Sequence, residues 1–122
     1  MRISKDDLQR AQIAKSLIEK DLSKHHTYQD LAHAVSMSVS KLQCSFKRIT
    51  GKNLYEYLTI RRIDEAVYML ENTEYNIDYI AFKVGLNRTN LNKQFKKALN
   101  KSPRQCRLEQ EQKDTTNMNY SI

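Results

Sequence analysis

Apolar residues fall at helical spacing along most of the chain, and one arrangement of them occurs twice, forty-nine residues apart. Leu31, Ala32 and Val35 lead to Leu42 and Phe46; Ile80, Ala81 and Val84 lead to Leu91 and Phe95. In each copy a short apolar stripe breaks at a turn, Ser36 to Ser38 or Gly85 to Asn87. A second stripe follows and ends in two basic residues, Lys47-Arg48 or Lys96-Lys97. The spacing from Ser36 to Phe46 equals that from Gly85 to Phe95, ten residues. This periodicity predicts a short helix, a tight turn and a second helix, made twice.

Other elements are arranged around the two copies. Asp6 to Leu22 reads as an amphipathic helix with Leu8, Ile13, Leu17, Ile18 and Leu22 on one face, capped by Ser4 with Asp7, and placed to cover the first copy. Thr27 opens the first short helix, and Gly51, free to turn left-handed, closes the second. Leu54 to Glu71 carries the stripe Leu54, Leu58, Ile63, Ala66, Val67 and Leu70; 18 residues make a rod of about 27 Å. Asn76 caps the next short helix, Ile77 to Val84. A helix from Arg88 or Thr89 to Leu99 packs through Leu91, Phe95 and Leu99 or Ala98, and Ser102-Pro103 opens a short last one. From about Glu111 the chain is polar and without a stripe, which predicts a frayed or flexible tail.

Two Gly and one Pro are too few for a turn-rich β fold. The expected architecture is therefore all-α: about seven helices forming two helix-turn-helix subdomains, 5–53 and 73–110, joined by a long helix at 54–72 and followed by a tail at 111–122.

Net charge sharpens this picture. The chain carries +7, which suits a polyanionic partner, and the charge is unevenly placed. Between Asp30 and Glu56 there are four basic residues and no acid; between Asp78 and Glu109 there are eight and again no acid. From Glu56 to Asp78, six acids face only Arg61 and Arg62. No apolar run approaches the roughly 20 residues of a membrane span, and the Met1-Arg2-Ile3-Ser4-Lys5 start lacks an apolar signal core, so a cytoplasmic protein with no membrane partner is expected. Cys44 and Cys106 have no second Cys near them, and His25, His26 and His33 lack a completing ligand set, so neither metal nor cofactor is expected. No Ser/His/Asp, paired-carboxylate or phosphate-loop constellation points to an enzyme.

The order of elements resembles the DNA-binding domain of the AraC/XylS family of bacterial transcription regulators, from about Gln12 to Leu108. The resemblance is carried by Leu31-Ala32, Val35, Leu42, Phe46-Lys47, Gly51, Tyr57-Leu58, Arg62-Ile63, Ala66 and Leu70, then by Ile80-Ala81, Val84-Gly85-Leu86, Phe95-Lys96 and Ser102-Pro103-Arg104. Leu54 stands where the family often has Pro, Cys106 stands near a usual aromatic, and the second copy is one residue shorter before Phe95 than the common family spacing.

The resemblance implies that the second helix of each copy lies in a DNA major groove. Base-reading positions would then be Ser40, Gln43 and Cys44 in the first copy, and Asn90, Asn92 and Lys93 in the second, beside Thr89 on the same exposed face. Phosphate contacts would come from Lys41, Lys47, Arg48, Lys52, Arg88, Lys96, Lys97 and Arg104. Two unlike reading helices on one protomer would recognise an asymmetric double-stranded site without a dimer partner.

Three alternatives stand beside this reading. The basic faces could serve a helical module that binds an acidic protein. The acidic middle segment could be a plain solvated face or a contact for RNA polymerase. The chain could be a stand-alone regulator similar to the short MarA/SoxS-like members, or the DNA-binding piece of a larger one.

Overall fold

The computed structural model describes residues 1–120, with side chains through residue 116. All regular structure among them is helical: α1 (Lys5–Lys20), α2 (Tyr28–Ala34), α3 (Val39–Thr50), α4 (Leu54–Asn72), α5 (Ile77–Lys83), α6 (Arg88–Leu99) and α7 (Pro103–Tyr120). The chain divides into two compact units, Met1–Arg61 and Arg62–Ile122, so the division falls inside α4 and not at its ends.

In the first unit α1 packs against α3. The buried stripe of α1 is Ala11, Ala14 and Ile18, continued just past its end by Leu22, whereas Ile13 and Leu17, expected to be buried, are 54% and 37% exposed. The packing explains the shift. Ser45 of α3 is also fully buried, and small side chains on both helices allow a close approach that larger ones would block. Phe46 forms the centre, with Tyr28 and Tyr57 set edge-on to its ring at centroid distances of 6.5 and 5.4 Å, the geometry that aromatic quadrupoles favour.

Polar groups fix the frame of this unit. Ser4 and Asp7 form a reciprocal capping box, Ser4 N donating to Asp7 Oδ2 (2.9 Å) and Asp7 N to Ser4 Oγ (3.1 Å). Arg10 Nη1 donates to the Val35 carbonyl at 2.6 Å, tying α1 to the end of α2. Tyr28 Oη accepts from Leu54 N (2.8 Å) and so fixes where α4 begins. Glu19 accepts from Tyr57 Oη and, at 2.9 and 3.0 Å, from Arg61 Nε. The Arg61 hydrogen bond, more than the Tyr57 one, holds the Glu19 carboxyl below its usual range. Burial, then the Glu19 contact, pushes the Tyr57 phenol up to about 12.

The second unit builds its core from Ile63, Ala66, Met69 and Leu70 of α4, Ile80, Ala81 and Val84, Leu91 and Phe95, and Cys106 of α7. Burial pushes the Cys106 thiol up. Arg107 Nε and Nη2 donate to the carbonyls of Leu70 and Thr73, both at 3.1 Å, satisfying acceptors that a helix end leaves open.

The expected flexible tail is corrected by α7, which starts at buried Pro103 and continues to Tyr120 instead of ending near residue 110. Beyond Pro103 there is no Gly or Pro, and Glu, Gln and Lys are good helix formers. Gln110 Nε2 donates to Asp114 Oδ1 (3.1 Å) and Thr115 Oγ1 to the Glu111 carbonyl (3.0 Å). Glu111 to Thr116 are all exposed, so this stretch continues the helix without a buried stripe. The expectation for residues 121 and 122 lies outside the described residues.

Candidate nucleic-acid interface

The two hairpins match residue for residue at the forty-nine-residue offset. Thr27 and Asn76 cap the short helices, their side chains accepting from Asp30 N (3.0 Å) and Tyr79 N (2.8 Å). Both turns are left-handed, Ser36 at φ 57° and Gly85 at φ 82°. The same turn bonds close them: Ser36 N to the His33 carbonyl and Met37 N to that of Ala32, against Gly85 N to Phe82 and Leu86 N to Ala81. Ser38 and Asn87 then cap α3 and α6, accepting from Lys41 N (3.2 Å) and Asn90 N (2.8 Å). Both long helices have twelve residues and end on a left-handed residue, Gly51 at φ 74° and Asn100 at φ 57°. The asparagine end was not legible in advance, although Asn is the residue most able to replace Gly there.

Within this shared frame, Leu42 and Phe46 of α3 and Leu91 and Phe95 of α6 are fully buried. The opposite face of α3 exposes Ser40, Gln43, Cys44 and Lys47; that of α6 exposes Thr89, Asn92, Lys93 and Lys96. Spacings of three, four and seven residues put each set on one side of its helix. Asn90 is exposed but falls on the flank that Lys41 occupies in α3, one step round from this face. Neither α3 nor α6 has an acidic residue in its first turn, and each has two basic residues in its last. Neither helix therefore places an acid of its own at its positive start.

The expected phosphate-binding cations fall into two groups. Lys47, Arg48, Lys96, Lys97 and Arg104 are exposed and have no carboxylate partner among the described residues, and Lys52 is half-buried. Lys41 and Arg88 are engaged: Lys41 Nζ lies 3.5 Å from Asp7 Oδ2, and Arg88 Nη1 lies 3.6 Å from Asp78 Oδ2. Pairing of Lys41 with Asp7 went unseen in the sequence because the two residues are thirty-four positions apart. His26 Nε2 sits 2.7 Å from the Asp21 carbonyl, and among the described residues no three His, Cys, Asp or Glu side chains gather into a metal-binding group. No described helix is long and apolar enough to cross a membrane.

Two hairpins, each presenting a polar helix on a buried apolar base, define a tandem helix-turn-helix protein. Residues 31–109 match the family model of a helix-turn-helix domain. The chain is 31% identical over 78 residues to the uncharacterized HTH-type transcriptional regulator YdeC of Bacillus subtilis, a match covering 63% of this chain and 27% of that protein. Its fold is similar to the C-terminal domain of AraT, a response regulator from Geobacillus stearothermophilus: TM-score 0.73, 28% identity, 89% of this chain and 88% of that one covered. It is also similar in fold to the DNA-binding domain of AdpA, a global transcriptional factor solved with a target DNA: TM-score 0.77, 23% identity, 82% and 91% covered. The chain belongs to the AraC/XylS family of transcription regulators, through its helix-turn-helix DNA-binding domain.

Proposed function

We propose that this chain is a sequence-specific double-stranded DNA-binding regulator that puts α3 and α6 into successive major-groove segments of one site. The observation that carries this reading is the pairing of a shared scaffold with unlike outward faces: Ser40, Gln43 and Cys44 against Thr89, Asn92 and Lys93. Asn and Gln can pair with adenine and Lys with guanine, while Ser and Thr accept several edges; a good bidentate pair discriminates by roughly 1–3 kcal/mol. Cys44 offers a small side chain to a thymine methyl. Asn90, exposed on the flank, offers the same amide chemistry to a neighbouring base. Exposed Lys47, Arg48, Lys96, Lys97 and Arg104, with Lys52, supply affinity without sequence information. Six such contacts would lose about a thousandfold in affinity between 50 and 200 mM salt.

Selecting bound duplexes from a random pool, in excess non-specific competitor, tests the reading. We expect two half-sites of unlike sequence with centres about 10 base pairs apart. A pool that shows no enrichment, with binding lost to competitor even at low salt, would overturn it in favour of a basic module for an acidic protein.

Activation by contact with RNA polymerase is the finer reading, and one surface supports it. Tyr75, Tyr79 and Phe82 are 51%, 41% and 71% exposed, the two tyrosine rings lie 4.7 Å apart, and Glu74 and Asp78 flank them. Glu74 adds negative charge to this aromatic surface, Asp78 being paired with Arg88, and such a surface suits a basic protein face. Action in the cytoplasm, as a monomer on its site, completes the proposal.

A further inference from the structure

Among the cations of the first reading helix, Lys41 has a distinct environment. It lies on the flank of α3 next to the seam with α1, one position round from the outward face, and its side chain is 45% exposed. Across the seam stands Asp7, whose side chain is only 10% exposed, with Oδ2 at 3.5 Å from Lys41 Nζ. Asp7 cannot swing away cheaply, because the same Oδ2 accepts from Ser4 N at 2.9 Å to complete the α1 cap. The carboxylate is therefore a fixed charge beside the start of a helix that has no acid of its own in its first turn. Arg88 in the second copy differs, since both it and Asp78 are more than half exposed and free to separate in water.

We propose that Asp7 is a positioning residue that neutralises Lys41 and sets an upper bound on the sequence-independent grip of α3 on the DNA backbone. This rests on the DNA-binding reading above. A cation whose charge is already balanced releases little counterion when a phosphate approaches, so Lys41 adds less to the salt dependence than Lys47 does. The fixed negative charge also opposes the nearest phosphate. Because backbone contacts carry no base information, the restraint acts on every duplex alike.

The test is duplex binding by fluorescence anisotropy over a range of salt, for the selected site and for a random duplex, with the full chain. Asp7→Asn keeps an oxygen for the Ser4 cap and removes the charge. It is expected to steepen the salt slope by about 0.9, so that the affinity gained from 200 to 50 mM salt grows by about threefold, on both duplexes. Adding Lys41→Met to Asp7→Asn should abolish that gain. In the unaltered background Lys41→Met should cost less affinity than Lys47→Met. An unchanged slope in a folded Asp7→Asn protein, or equal losses for Lys41→Met and Lys47→Met, would overturn the inference; the second comparison decides even if Asp7→Asn unfolds. A chain that binds no duplex at all would instead overturn the DNA-binding reading, and this inference with it.

Discussion

Glu19 joins α1 to α4 through Tyr57 and Arg61, and its carboxyl is held below the usual range chiefly by the Arg61 hydrogen bond. A carboxylate whose folded pKa is depressed contributes stability that is present above its unfolded value and lost as pH falls through the folded one. The melting temperature should therefore drop as pH falls below about 4.5. Glu19→Gln should melt lower at neutral pH and show a shallower acid decline, read by circular dichroism; identical acid profiles would remove Glu19 from this role. Single residues were legible in the sequence where the interaction is local, as with the Ser4 and Asp7 cap and the Gly51 helix end. They were not legible where partners are distant in the chain, as with Lys41 and Asp7. Nor was the burial of Ser45, which follows from the seam with the distant α1; its Oγ has no hydrogen-bond partner among the described residues.

At the scale of elements, the helix caps position the reading residues. Asn87 accepts from Asn90 N, holding the first turn of α6 where Thr89 and Asn90 stand. Asn87→Ala should cost about 1 kcal/mol of stability and blur base preference only in the half-site read by α6, with Asn87→Ser restoring both; repeating the duplex selection with each variant reads this directly. Six of the seven helices lay within a residue or two of their expected bounds, because capping residues and apolar stripes marked them. α7 did not, since a helix that buries nothing from Glu111 to Thr116 leaves no periodic signal there. The stripe of α1 was also misjudged. Periodicity weights large side chains such as Ile13 and Leu17, whereas close packing selected Ala11 and Ala14.

At the scale of the molecule, the proposed DNA contact and the proposed polymerase contact use different residues, which makes them separable by experiment. Glu74→Ala with Tyr75→Ala should leave duplex affinity within about twofold of the unaltered chain, yet lower transcription from a promoter carrying the selected site. Equal transcription from both proteins would return the acidic segment to a plain solvated surface. The repeat was the most legible feature of the chain, since buried and turn positions recur at a fixed offset; what each copy says to DNA was less so, because exposed polar residues are unconstrained by packing. Identical scaffolds with different outward residues give the bound protein a head and a tail. On the proposed reading, a duplex gripped by both faces would acquire a polarity, and inverting the site would turn the bound chain end for end on the promoter.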